Sequence, residues 1–389
     1  MKNNFFTLFL PVILLISTGC SSCKDDIIEP TETETYVITQ VDVNGSIYNK
    51  LEGIINRDLT LDQNQEWLIS GGVFVEDGFT LTINQGGTIW ADTEVTTFLS
   101  VKQGGKVYIE GIDTNPVVFT PLTDSPNYGD WGGIIINGRA TINTGLTAEG
   151  EGGTGVYGGD DDNDNSGVLR YVRVEYAGKL LGTDNELNGF SFNGVGNGTT
   201  IEYIQAYKGA DDGIEFFGGT VNVRYALSTH NQDDSFDWTH GWKGYGQYWM
   251  AQQGPDGGDR GIEADNNGDD NYLEPFSDPI LANVTLLGVD DGDGLNTGMR
   301  LREGTKGKIF YANVSGFPKY GIRVSEQATL DNVENYELYV ANSIVENNGT
   351  NFKDCESFDG LEAYFDVPWF YEDTVPGSGD FWLGDWVKQ

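Results

Sequence analysis

From residue 189 onward, the apolar positions fall in short alternating strings about two dozen residues apart. The strings are Gly189-Phe190-Ser191-Phe192, Gly213-Ile214-Glu215-Phe216, Ser235-Phe236-Asp237-Trp238, Gly261-Ile262-Glu263-Ala264, Gly298-Met299-Arg300-Leu301 and Gly321-Ile322-Arg323-Val324. Each places a small residue first, then apolar, polar and apolar or small. That period of two is a strand with one face buried. Successive strings begin 24, 22, 26, 37 and 23 residues apart, the length of one solenoid turn with one longer loop. The expected fold is all-β: a single right-handed parallel β-helix with loop insertions and capped ends. Its apolar columns stack inside, and Ser191, Glu215, Asp237, Glu263, Arg300 and Arg323 form a ladder outside.

An earlier block of strands runs from about Glu66 to Asn143. Leu81 to Ile89 repeats as Leu99 to Val107, eighteen residues later, with a Gln-Gly-Gly corner in each copy. A Gly- and Asp-rich stretch from Thr144 to Gly167 breaks the pattern and is expected to project into solvent. Ala282-Asn283-Val284, Ala312-Asn313-Val314 and Ala341-Asn342-Ser343 suggest an asparagine stack at one corner. Only Ser46 to Asp58 reads as a short helix. The region before Trp67 is expected to close one end of the stack. The aromatic tail from Tyr364 to Trp386, with Trp369, Phe370, Tyr371, Phe381 and Trp382, is expected to cover the other.

The N-terminus changes the picture of where this chain works. Lys2 precedes an apolar run, Phe5 to Ile16, that ends in Ser17-Thr18-Gly19-Cys20. The run is too short to span a bilayer. Residues 1–19 read as a lipoprotein signal, with Cys20 as the acylated residue and Cys23 as the alternative. Residues 20–40 read as an acidic tether and 41–389 as the β-helix with its caps. The three cysteines provide no disulfide framework or metal spacing. The formal net charge of −38 excludes a nucleic-acid partner, whose binding rests on Lys and Arg. Aromatic residues at 12% and dense Val/Ile/Leu strands exclude simple disorder.

Several longer strings carry a resemblance. Trp67 to Val75, Asp130 to Ala140, Ala210 to Gly219 and Asp233 to Trp238 resemble signatures of secreted β-helix lipoproteins common in Bacteroidota, and Lys24-Asp25-Asp26 resembles their surface-export signal. Asp259 to Glu263 and Leu301 to Gly304 extend the likeness. It implies an outer-membrane, cell-surface protein, with an outer-membrane transporter as one kind of partner. It brings no catalytic assignment.

Candidate chemistry gathers on the outer ladder. Glu215, Asp237 and Glu263 on successive coils would lie about 4.8 Å apart. Two such charges repel by about 3–4 kcal/mol at an effective dielectric of ~20. Arginines, protonation or a calcium ion could relieve this, and Arg260, Arg300 and Arg323 are the available arginines. The corner acids Asp211, Asp212, Asp233 and Asp234 could accept hydrogen bonds from turn amides or join the ladder in holding calcium. Further acidic loops lie at Asp160–Asp164, Asp265–Asp270 and Asp290–Asp293, none with the full EF-hand pattern. Trp242, Tyr245 and Tyr248, with Arg260, are candidate ligand contacts, because flat rings stack on sugars. His230 and His240 read as exposed loop histidines. Two function classes remain: a non-catalytic surface protein binding a glycan or a membrane partner, and a glycan-active lyase or hydrolase using Glu215, Asp237 and Glu263.

Overall fold

The computed structural model describes residues 35–354 and 377–389, other than 85, 183, 184, 291 and 293. The three cysteines and the proposed signal lie outside the described residues. One 25-stranded sheet winds through the chain, its pairings parallel except at the N-terminal hairpin.

The wound sheet has three faces. The first stacks Phe190–Asn193, Ile214–Phe217, Phe236–Thr239, Arg260–Ala264, Thr297–Leu301 and Tyr320–Val324. Phe190, Ile214, Phe236, Ile262, Met299 and Ile322 stand in one register. The same column continues through Ile134, Leu99 and Val73, so the early and late blocks form one solenoid. These side chains are buried, and each contributes about 1.5–3 kcal/mol over leaving it in water. The small residue that opens each string has a steric reason. A Cβ on Gly213 would stand 2.7 Å from the Ser235 carbonyl of the next coil.

The other two faces are the arms of longer, bent strands, including Gly167–Glu175, Thr200–Tyr207, Asn222–Thr229, Tyr245–Gln252, Ile280–Leu287 and Gly307–Ser315. Each bends at a single left-handed residue: Tyr171, Tyr203, Tyr225, Tyr248, Asn283 and Tyr311, all with φ between 50° and 60°. Such a conformation is unusual for a bulky side chain and needs support from its surroundings. The tyrosine rings supply it by stacking, with centroids 4.3 Å apart for Tyr171–Tyr203, 4.2 Å for Tyr203–Tyr225 and 5.1 Å for Tyr225–Tyr248.

Four expectations are corrected. Ser46–Ile55 is a strand, not a helix: Leu51, Ile54 and Ile55 pack in the core while the strand pairs with Trp67–Val75. The two copies of the eighteen-residue repeat turn between strands of one coil at their Gly-Gly corners, as expected, but lie on different faces, with Leu81 paired to Val107 and Leu99 to Ile134. The two Gly-Gly corners therefore belong to different edges of the prism. The asparagines do not stack. Asn283 and Asn342 occupy the left-handed corner on either side of Tyr311, whereas Asn313 lies in a strand arm against Thr285. The stretch 144–167 is exposed at 144–147 and at Asp160 and Asp161, but it does not project as a free loop. It is pinned to the flank, where Asp162 accepts from the Thr141 amide at 3.0 Å and Tyr157 is buried.

The fourth correction concerns the tail. Trp369, Phe370 and Tyr371 fall outside the described residues, but residues 377–389 run back along the tyrosine corner instead of sealing the last coil. Trp386 meets Tyr171 and Tyr203 edge-on, and Trp382 packs beside Tyr225. The Arg173 guanidinium donates to the Trp386 carbonyl at 2.7 Å, and Gln205 exchanges two hydrogen bonds with the Lys388 backbone. At the other end, Val37–Val43 lies antiparallel on Ser46–Ile55 and edges the first coil, as the region before Trp67 was expected to do.

Candidate functional site

The ladder forms in the expected order. Ser191, Glu215, Asp237, Glu263, Arg300 and Arg323 pair residue for residue across six coils. They point away from the bore, yet the acids are not open to solvent. The turn Glu151–Gly153 and the hairpin strand Asn185–Glu186 wall this face, tied together where the Gly152 amide donates to Asn185 Oδ1 at 2.9 Å.

Inside the wall is a cavity of about 230 Å³ lined by nine carboxylates and one guanidinium. Glu215, Asp237 and Glu263 come from the ladder. Asp211, Asp212, Asp233 and Asp234 come from the corners just before it. Glu151 and Glu186 come from the walling loops, and Arg260 is the guanidinium. Neither loop belongs to the repeat, so nothing in the sequence pattern pointed to those two acids.

Compensation is lopsided. Arg260 reaches Asp259 at 2.7 Å, Asp234 Oδ2 at 3.3 Å and Glu263 Oε1 at 3.1 Å. Arg302, missed in the sequence, reaches Glu263 at 2.8 Å and Asp265 at 2.8 Å. It lies two residues beyond Arg300 and therefore on the same strand face, a relation that period two could have revealed. Arg300 touches Glu263 at 3.4 Å. Arg323 does not reach the acids; it lies over the Tyr320 ring. At the other end, among the described residues, only amides help: Asn188 donates to Glu215 Oε2 at 2.5 Å, and the Asp234 amide donates to Asp212 Oδ1 at 2.9 Å. One oxygen each of Asp234 and Asp237 is buried with no partner among the described residues, and Asp234 as a whole is 2% exposed.

Burial and mutual repulsion leave these acids reluctant to ionise. Asp212, Glu215, Asp234 and Asp237 are pushed well above the usual carboxylate range, chiefly by burial and then by neighbouring acids. Asp211 is pushed up to about 9, Glu151 to about 7 and Asp233 to about 6, again mainly by burial. Oxygens of Asp212, Glu215 and Asp237 lie within 4.8 Å of one another, and so do those of Asp234, Asp237 and Glu263. The donor set is all oxygen and suits a hard cation such as calcium.

The expected aromatic contacts do not assemble. Trp242 is fully buried, stacked on Phe216 at 4.2 Å, with its indole N–H given to the Val221 carbonyl. Tyr248 belongs to the tyrosine corner, Tyr245 is exposed on another face, and Arg260 is engaged by the acids. Neither histidine is an exposed loop residue. Burial lowers His240 to about 4, with its Nδ1 3.2 Å from the Tyr157 hydroxyl, and lowers His230 as well. Of the other acidic loops, Asp265 is paired to Arg302, and Asp162 is taken up by Thr141 and lies 3.9 Å from Lys243. Asp290 accepts from the Gly292 amide, and Asp291 and Asp293 lie outside the described residues.

A three-faced coil of stacked parallel strands, carrying its polar cluster on one outer face, defines the class: a right-handed parallel β-helix. The model of the pectate-lyase-like β-helix domain family matches residues 53–380, and the chain belongs to that family. No curated protein and no solved structure matches the chain. Family membership is compatible with a binding role or with a glycan-active enzyme.

Proposed function

We propose that this protein is a non-catalytic binding scaffold, held by a lipid on Cys20 at the outer face of the outer membrane, whose acidic cavity takes a calcium ion. An extracellular ligand or an outer-membrane partner would dock on the rigid flanks. The observation that carries the cation reading is the pair of buried, unpartnered oxygens of Asp234 and Asp237 beside the cavity. Buried polar atoms are nearly always satisfied, so two orphans among clustered acids call for a positive ligand. Calcium accepts six to eight oxygens in flexible geometry, which this irregular set can offer more readily than magnesium's octahedron. The lipid anchor rests on the Ser17-Thr18-Gly19-Cys20 string. Cell fractionation of Cys20→Ala reads it, and a variant that stays with the membrane would refute the anchor.

The cation is tested by titrating calcium into the purified chain after chelation, by calorimetry and thermal unfolding. Binding is expected in the range of about 10⁻⁴–10⁻³ M typical of extracellular modules, weakened in Asp234→Asn. No heat and no shift in unfolding at several millimolar calcium would remove this reading.

One observation favours a second reading, a glycan-active enzyme. The oxygens of Glu215 and Asp237 approach within 4.8 Å, near the roughly 5–5.5 Å carboxyl spacing of retaining glycosidases. A raised pKa would leave one of them protonated as an acid. Against it stands the crowd of further acids, which raises the would-be nucleophile as well. Product release from a polysaccharide panel, lost in Glu215→Gln, would favour the enzyme over the scaffold.

A further inference from the structure

A second cavity, about 460 Å³, lies on a different part of the surface, lined by Gln63, Asn84, Glu110, Gly111, Ile112, Arg170 and Tyr171. It lies where the tyrosine corner begins. Asn84, Glu110 and Arg170 stand in one register on three successive coils. From Tyr171 onward each coil turns this corner on a single left-handed residue. The coil before it instead uses the loop between Lys106–Glu110 and Val117–Pro121, closed by the Ile112–Asn115 bridge. That loop carries no aromatic ring. The stack of rings therefore stops at Tyr171, which lines the cavity where the next rung is missing.

We propose that this cavity binds a neutral oligosaccharide, with one sugar ring stacked on Tyr171 as the next member of the ladder. Tyr203 covers one face of the Tyr171 ring and Trp386 meets its edge; the remaining side faces the coil of Gly111 and Ile112. Rings stacked at 4.3 and 4.2 Å hold Tyr171 in place before any ligand arrives, so little ordering is lost on binding. Polar groups converge on the same space. The Gln63 and Asn84 amides make no side-chain hydrogen bond among the described residues, and each offers both a donor and an acceptor for sugar hydroxyls. Arg170 is shared between Glu110 and Glu202, each at 3.3 Å, which orients it and cancels its charge. With the Asp113 carboxylate also acting on Tyr171, the lining has no spare positive charge, which suits an uncharged ligand over a polyuronate. The volume falls within the roughly 300–1,000 Å³ of ordinary ligand sites.

This inference shares with the preceding reading only the premise of a binding scaffold. Calcium tests one and sugar the other. The experiment titrates cello-, xylo- and manno-hexaose, with oligogalacturonate as the charged comparison, into the chain with calcium and again with chelator. At least one neutral hexaose is expected to bind, equally well under both conditions. Two variants keep the result interpretable. Gln63→Ala with Asn84→Ala removes side chains that support nothing else and should weaken binding by at least about tenfold. Ile112→Trp should fill the missing rung and abolish binding without lowering the unfolding temperature. The proposal is overturned if no neutral hexaose binds, if binding survives both variants, or if only oligogalacturonate binds and needs calcium.

Discussion

Two columns of like side chains run along this solenoid, tyrosines at a left-handed corner and carboxylates on a strand face. At one corner, tyrosines stack at 4.2 to 5.1 Å; on one face, carboxylates bring oxygens within 4.8 Å of each other. A parallel coil repeats every contact at the strand spacing, so whatever a side chain does to its own copy is multiplied. For rings that multiplication is favourable, and the C-terminal strap with Trp382 and Trp386 buries the result further. For carboxylates it is unfavourable, and the arginines gather around Glu263 and leave Asp237 without an ion pair or hydrogen bond among the described residues. The tyrosine column can be explained by stability alone. The acid column cannot, which is why it is the better candidate for a ligand.

The comparison breaks most sharply at Arg260. Its guanidinium is the main link between corner acids and ladder, touching Asp234, Asp259 and Glu263. Arg260→Met keeps the bulk and removes the charge, leaving buried Asp234 without an ion pair among the described residues while Glu263 keeps Arg300 and Arg302. Such a loss typically costs about 3–5 kcal/mol. Denaturant unfolding at pH 8 in chelator should show it, and calcium should restore part. A variant as stable as the parent would mean that the acids are already neutral without Arg260.

In the other column, Tyr203 stands between Tyr171 and Tyr225 and also meets Trp386. Tyr203→Ala removes the contacts on both faces and is expected to destabilise by about 2 kcal/mol, from aromatic pairs worth about 0.5–1.5 kcal/mol each beyond area. The strap should loosen with it, read as faster proteolysis within residues 377–389. Unchanged protection of the strap would show that Arg173, Gln205 and Lys388 hold it without the rings.

The fold was largely legible, because a coil that repeats its geometry must repeat its pattern. Ile214, Phe236 and Ile262 announce one buried column, and Glu215, Asp237 and Glu263 announce the polar one beside it. The site was legible only where it belongs to that repeat. Glu151 and Glu186 sit in insertions whose path over the surface no period encodes. Trp242 misled because a large ring in an acidic neighbourhood looks the same in sequence whether it lines a groove or fills the bore. The tyrosine corner escaped notice for a different reason. Left-handed corners usually carry Gly or Asn, so Tyr171, Tyr203 and Tyr225 give no sign of a corner in the sequence, and Tyr248 was expected to contact a ligand.

The smallest expected effect is the most telling, because its sign reverses. Asp237→Asn removes one carboxylate from the acid column, and in chelator it should stabilise the protein by about 1 kcal/mol at pH 8, where losing one ring of the tyrosine column can only destabilise. The pH dependence follows from proton linkage. Asp237 has an unperturbed value of 3.8 in the unfolded chain and a raised one in the fold, so the native state holds a proton that the unfolded state has released. Stability is therefore greatest below about pH 4 for this group and is lost as pH rises towards its native value, with Asp233 at about 6, Glu151 at about 7 and Asp211 at about 9 adding to the decline. The gain from Asp237→Asn should vanish near pH 4, where the parent is already protonated. Calcium should invert the order at pH 8, stabilising the parent more than the variant that has lost a ligand. If the variant is less stable than the parent in chelator at pH 8, the repulsion attributed to this column is absent, and the acids are held by contacts that make a bound cation unnecessary.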